Sequence, residues 1–344
     1  MNVGIVHQSA DAARTLERSV LLAPDHRVLW TASTGEDAVA LCAGATPDVV
    51  LLDLRMPDAD VAGISRRIIA ATPCAILIVA SSVHAQAAHV FEAMGGGALD
   101  AVDMPSLDAA DLPGGAAPLL SKLSTIGRLI GASDGHRAAG SPLEAAGPRG
   151  CRQLVVVGAS AGGPAALATL LEGLPDSFSA AIVIVQHVDA QFASGMSEWL
   201  NRHSALAVSV AAEGDVPERG RVLIAGTNHH LVFKTSTRLG YTAEPSQGAY
   251  RPSIDVFFNS AAQFWRGDLA GVILTGMGRD GALGLKTLRA HGCHTIAQDE
   301  ASSAVYGMPK AAAAMGAAVE VLPVDRIARR LTELLPRSVA RATV

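Results

Sequence analysis

Charge is scarce in this chain, aromatic rings are scarcer, and cysteine is nearly absent: charged residues make up 17 %, aromatics 4 %, and four cysteines occur in 344 residues. Cys42, Cys74, Cys151 and Cys293 lack both the close spacing of a zinc site and the paired pattern of a disulfide-stapled domain, so neither is expected. No apolar run reaches the roughly 18 residues that would span a bilayer, although 49 % of the chain is hydrophobic, and no membrane insertion is expected. The start, Met1-Asn2-Val3-Gly4-Ile5-Val6, lacks the basic and long apolar regions of a secretory signal and reads as a first strand, which predicts a cytoplasmic location. A net charge of −5 without a basic stripe excludes a nucleic-acid groove.

What the chain does have is repeated strand and helix patterning over a length that suits about two cores. Strands are predicted near 2–6, 27–31, 48–53, 75–80 and 99–103, with helical stretches between them. Leu119, Leu120, Leu123, Ile126, Leu129 and Ile130 fit one amphipathic helix over Ala116 to Ile130, and 131–150 is rich in Gly, Ala, Ser and Pro. The alternation resumes at Cys151 and runs to a helix over Val324 to Leu335. The expected fold class is therefore α/β: a first doubly wound parallel sheet in 1–107, a terminal helix and flexible linker in 108–150, and a second, Rossmann-like sheet in 151–338.

Asp53 closes the strand Val49-Val50-Leu51-Leu52-Asp53 and precedes Met56-Pro57; with Asp100-Ala101-Val102-Asp103-Met104-Pro105 it makes the first 107 residues resemble a response-regulator receiver domain. That resemblance places the family's phosphoacceptor on Asp53. It also calls for an acidic pair to hold Mg²⁺, a hydroxyl residue and a lysine, where this chain has His7 and Gln8, Ala80 beside Ser81, and Met104. Neutral ligands attract Mg²⁺ poorly, so the domain is expected to act as a cover or docking surface, labelled far less by phosphodonors than an ordinary receiver.

In the second half, the apolar run Leu154 to Val157 breaks into Gly158-Ala159-Ser160-Ala161-Gly162-Gly163-Pro164 and then enters a helix. A strand, a glycine-flanked serine and a helix start lift a hydroxyl onto a sharp turn beside free N–H groups. Two further buried-type strands lead into Gln186-His187 and Thr275-Gly276-Met277-Gly278-Arg279-Asp280-Gly281. In a parallel sheet all three chain ends meet on one edge. Ser160 is thus the expected nucleophile, His187 its base and then acid, and Asp280 the carboxylate that fixes the imidazole tautomer; the N–H groups of Ala161, Gly162 and Met277 are the expected oxyanion donors. Asp255 and Asp299 are rival carboxylates, ranked behind Asp280. A dinucleotide site on the same turn fits poorly, because Ser160 stands where a glycine should admit the pyrophosphate and no acidic ribose ligand follows; a P-loop lacks its Gly-Lys-Ser/Thr. No cofactor is expected.

These motifs, with Arg251-Pro252-Ser253-Ile254-Asp255, Ala297-Gln298-Asp299 and Tyr306-Gly307-Met308-Pro309, resemble the catalytic domain of the CheB family of protein-glutamate methylesterases. Val90 to Gly95, Asn228-His229-His230 and Ala243-Glu244-Pro245 look closest to its WspF subgroup, which serves a surface-sensing pathway. The resemblance implies hydrolysis of γ-glutamyl methyl esters on methyl-accepting chemoreceptor-type proteins, with glutamine deamidation as a second activity and a cognate histidine kinase as a further partner. Arg251, Tyr306 and Met308 become candidate substrate contacts, and His229 and His230 either line a groove or sit in a solvated turn. The competing class is a non-catalytic adaptor that only binds receptors.

Overall fold

The computed structural model describes residues 1–56, 60–72, 74–105, 112–131, 152–246 and 250–336. Two compact units emerge, Met1–Arg137 and Ala138–Val344. Most of the expected linker at 131–150, together with Pro57, Cys151 and the carboxy-terminal end from 337, lies outside the described residues.

The first unit is a parallel sheet of β1 (Asn2–Val6), β2 (Arg27–Ala32), β3 (Val49–Asp53), β4 (Ala75–Ala80) and β5 (Asp100–Asp103). Its spatial order is β2-β1-β3-β4-β5. The connecting helices are α1 (Ala10–Val20), α2 (Gly35–Gly44), α3 (Val61–Ala71) and α4 (Ala87–Gly95), and α5 (Leu112–Gly131) follows the last strand. β3 is buried at all five positions, as expected of a central strand covered on both faces. The helix expected from Ala116 to Ile130 begins one turn earlier and carries Pro118 inside it. Cys42 and Cys74, which sequence spacing left unrelated, meet here as free thiols, because the end of α2 packs beside the entry to β4. Contact with Cys42 is the main cause that draws the Cys74 thiol down to about 7.

The second unit comprises β6 (Gln153–Ala159), α6 (Gly163–Glu172), β7 (Ala181–Gln186), α7 (Ala193–Arg202), β8 (Ala207–Val210), β9 (Arg221–Ile224), β10 (His230–Phe233), β11 (Leu239–Thr242), α8 (Ile254–Phe264), β12 (Asp268–Ile273), α9 (Ala282–Ala290), β13 (His294–Gln298), α10 (Met308–Ala314), β14 (Glu320–Leu322) and α11 (Val324–Leu334). Seven strands form a parallel sheet ordered β14-β13-β12-β6-β7-β9-β8, while β10 and β11 make a separate antiparallel hairpin. That hairpin departs from the purely parallel expectation. It packs Leu231, Phe233 and Leu239 against Phe257, Phe258 and Trp265, so it closes one side of the core.

β6 sits at the centre, with β7 on one side and β12 on the other. The chain runs from β6 to β7 on one side while the later strands β12, β13 and β14 lie on the other, so the order of strands switches beside β6, the usual ligand position in open α/β sheets. All of its strand residues from Leu154 to Ala159 are buried. Among the described residues no helix is long and apolar enough to cross a membrane.

Candidate active site

Register places the serine and the histidine side by side. Ala159 pairs with Gln186 across β6 and β7, and the His187 N–H donates to Ala159 carbonyl oxygen at 3.0 Å, so Ser160 and His187 leave adjacent strand ends together. The Gln186 side-chain amide, 3 % exposed, donates to the carbonyls of Ser160 at 2.8 Å and His187 at 3.3 Å and ties the two turns. On the other flank the Ser160 N–H donates to Thr275 carbonyl oxygen at 3.0 Å. Thr275 Oγ1 donates to Ala161 carbonyl oxygen at 3.0 Å and accepts the Val305 N–H at 2.8 Å. The serine is thus fixed by both neighbouring strands. Gly162 has φ of +73°, a left-handed conformation that an L side chain resists, and it starts α6.

Asp280 lies in the loop after β12 and is 6 % exposed, yet its carboxylate has four donors. His187 Nε2 lies 2.8 Å from Oδ2, Ser253 Oγ donates to Oδ1 at 2.9 Å, and the first two N–H groups of α8, from Ile254 and Asp255, donate at 2.7 and 3.1 Å. Burial alone would raise its pKa; the hydrogen bond and charge of His187, with the Ile254 and Asp255 N–H groups, outweigh burial and hold it below the ordinary carboxylate value. An ionised acceptor at a helix N-terminus is also favoured by the helix dipole. The Asp280 contact uses Nε2, so the other ring nitrogen, Nδ1, is the one left for serine. Nδ1 is buried and has no hydrogen-bond partner among the described residues. No hydrogen bond yet joins it to Ser160 Oγ, a looseness common where no substrate is bound.

The remaining expected residues divide. Among the described residues the N–H groups of Ala161, Gly162 and Met277 have no acceptor, whereas those of Gly276 and Gly163 are taken by Val305 and Ser160 carbonyls. Of the rival carboxylates, Asp299 is committed to Ser302 and Asp255 accepts the Gly284 N–H at 2.7 Å; neither holds His187. Tyr306 is half-buried and bridges to Gly276, and Arg251 is exposed, donating to Ser246 carbonyl oxygen. Met308 corrects the expectation of a substrate contact: it is fully buried beneath Gly276, so it supports the turn. His230 is likewise neither groove-lining nor solvated. It is 2 % exposed, accepts the Ser253 N–H on Nδ1 at 3.0 Å and lies 3.1 Å by Nε2 from Pro245 carbonyl oxygen, which positions the loop entering α8.

Sequence reasoning missed two residues here. Tyr250 lies flat on the His187 imidazole, and Ser253 caps α8 while donating to Asp280. The Ser-Ile-Asp run just before an apolar helix was a legible cap signal for Ser253; Tyr250 carried none.

The first unit offers a contrasting cleft. A cavity of about 330 Å³ is lined by His7, Gln8, Asp53, Arg55, Ala80, Ser81 and Met104, among others. Asp53 is 5 % exposed; Oδ1 accepts the Arg55 N–H at 2.9 Å, but Oδ2 has no hydrogen-bond partner among the described residues. His7 Nδ1 is 3.5 Å away, yet it accepts the Ser9 N–H at 3.1 Å and so has no proton to offer Oδ2. One carboxylate, an imidazole and an amide are a poor donor set for hard, octahedral Mg²⁺, and Met104 stands at the lysine position, although Arg55 also lines the cleft. The Mg²⁺ of ordinary receivers does not fit these residues.

Comparison with known proteins agrees over nearly the whole length. The CheB methylesterase family matches residues 155–331 and the response regulator receiver domain matches 3–112. A protein-glutamate methylesterase/protein-glutamine glutaminase of Cupriavidus pinatubonensis is 56 % identical over 97 % of both chains. Another, of Pseudomonas fluorescens, is 54 % identical over 98 % of this chain and all of its own. The crystal structure of the Thermotoga maritima CheB methylesterase catalytic domain covers 54 % of this chain and 100 % of its own, with 34 % identity and a TM-score of 0.52.

Proposed function

This chain belongs to the CheB methylesterase family and carries a receiver domain ahead of the esterase domain, and from that premise we propose that Ser160, His187 and Asp280 hydrolyse glutamate γ-methyl esters on chemoreceptor-type proteins. Its activity is that of a protein-glutamate methylesterase and glutaminase. The observation that carries the residue assignment is the 2.8 Å contact of Asp280 with His187 Nε2, at a switch point where Ser160 leaves the neighbouring strand.

Because Nε2 faces the carboxylate, its hydrogen is held there and Nδ1 keeps a lone pair. Ser160 Oγ attacks the ester carbonyl while Nδ1 takes the hydroxyl proton; Asp280 stabilises the resulting imidazolium. The N–H groups of Ala161, Gly162 and Met277 meet the developing oxyanion, each such donor contributing about 3 kcal/mol. Nδ1 then returns the proton to the leaving methoxide oxygen, methanol departs, and a glutamyl-serine ester remains. Water, deprotonated by the same nitrogen, attacks the ester carbonyl; the bond to Ser160 Oγ breaks, Nδ1 returns the proton to that oxygen, and glutamate is released. With a glutamine side chain the leaving group is ammonia and the rest of the sequence is unchanged.

We place the substrate on cytoplasmic receptor helices, hence the protein in the cytoplasm, with Arg251 and Tyr306 at the entrance. The pathway is a chemotaxis-like or surface-sensing one, a reading supported by the WspF-like motifs. The depleted cleft around Asp53 favours a receiver that docks a receptor or kinase rather than one switched by phosphoryl transfer. Methanol release from methylated receptor, compared between the parent and Ser160→Ala, tests the assignment. Equal rates would instead favour an adaptor that only binds.

A further inference from the structure

The Asp280 contact fixes one point of the His187 ring but not its plane. A terminal sp³–sp² torsion such as that of histidine is broad and roughly two-fold, so an imidazole tethered through Nε2 alone can swing and carry Nδ1 away from serine. Something must close that motion.

Tyr250 does close it. Its ring lies 4.5 Å from the His187 ring, centroid to centroid, with an interplanar angle of 6°. The imidazole side chain is 11 % exposed, and Tyr250, itself half-buried, covers one of its faces. The other end of Tyr250 reaches the loop that carries Met277. A Cβ built on Gly278, where φ is +76°, would stand 2.5 Å from the tyrosine hydroxyl, so the loop approaches this closely only because glycine is there. One side chain therefore spans the proposed base and the segment that offers an oxyanion donor.

We propose that Tyr250 is a positioning residue for ester hydrolysis, holding the His187 imidazole in the plane that aims Nδ1 at the Ser160 hydroxyl. The proposal rests on the Ser160–His187–Asp280 reading and extends it. It requires the flat aromatic face and not the phenolic hydroxyl, which separates it from a hydrogen-bonding role. It also requires more than bulk, which separates it from space filling.

The full chain is assayed for methanol release from a synthetic helical peptide bearing glutamate γ-methyl ester, with Ser160→Ala as reference and thermal midpoints recorded for every variant. Tyr250→Phe should keep kcat within about 3-fold, whereas Tyr250→Leu, similar in size but without a π-face, should lose about 10-fold in kcat with KM nearly unchanged. Tyr250→Met, unbranched and easily accommodated, repeats the test should the leucine variant not fold. Leucine or methionine variants as fast as Tyr250→Phe, beside an inactive Ser160→Ala, overturn the positioning role and leave the triad standing. A fully active Ser160→Ala overturns both.

Discussion

Asp280 and Asp53 both lie toward the carboxyl edge of a parallel sheet, Asp53 as the last residue of β3 and Asp280 in the loop after β12, and both are nearly buried, yet their surroundings differ completely. Asp280 receives four donors from two separate segments and holds an imidazole. Asp53 receives one backbone N–H and, among the described residues, keeps an oxygen without a hydrogen-bond partner, facing a histidine nitrogen that accepts the Ser9 N–H and has no proton to give it. A strand-end carboxylate is thus only a position. Its chemistry comes from what converges on it, and in this chain convergence is complete in the esterase unit and lacking in the receiver unit.

The largest way to break that contrast is to dismantle the complete site. His187→Ala should lower methanol release by about 10³-fold or more, and Asp280→Asn by about 10²- to 10⁴-fold, since an amide both loses the charge and can favour the wrong tautomer. Less than a 5-fold loss in either would show that Asp280 and His187 do not act together. The converse is to rebuild the depleted site: His7→Asp, Gln8→Asp and Met104→Lys combined should turn trace labelling by acetyl phosphate with Mg²⁺ into labelling of most of the protein, read by mass spectrometry. Near-stoichiometric labelling of the parent, lost in Asp53→Ala, would erase the contrast.

A smaller effect probes how the serine turn is held. Thr275→Val keeps the shape but removes the hydroxyl shared by Ala161 and Val305, and should cost about 1–3 kcal/mol in denaturant unfolding. Acidity gives a subtler test. Burial, followed by the negative charge of Asp280, raises the Asp255 carboxyl to about 7. A folded acid with a raised pKa binds its proton more tightly than the unfolded chain does, so folding weakens as pH climbs from about 4 to about 7. Asp255→Asn should escape that decline and gain on the parent by on the order of 1 kcal/mol across this window; parallel stability curves would contradict it. Smallest of all, Asp53→Asn should leave basal methanol release within about 2-fold, because the cleft around it lacks the donors a phosphoryl switch needs.

The fold was largely legible because buried parallel strands declare themselves as unbroken runs such as Leu154 to Val157 and Ala181 to Val185, and because a lone polar residue after such a run must lie at the sheet edge. Hence Ser160, His187 and Asp280 could be named together without knowing the strand order. Less visible was whatever depends on contact between distant segments. The hairpin of β10 and β11 alternates weakly, and only its packing shows why His230 is buried on Ser253. Cys42 and Cys74 stand 32 positions apart, a distance that spacing rules do not read. Tyr250 follows no apolar period and precedes no strand; its meaning arises only when the imidazole lies beneath it. Met308 misled for the opposite reason, since its place in a motif suggested a surface it does not reach.

The central claim is that hydrolysis passes through the seryl oxygen at position 160. Methanol release from a methylated receptor domain, measured for the parent and for a Ser160→Ala chain of matched thermal midpoint, tests it most directly. Loss of at least about 10³-fold in the variant is the predicted result; release at a rate near that of the parent would contradict it.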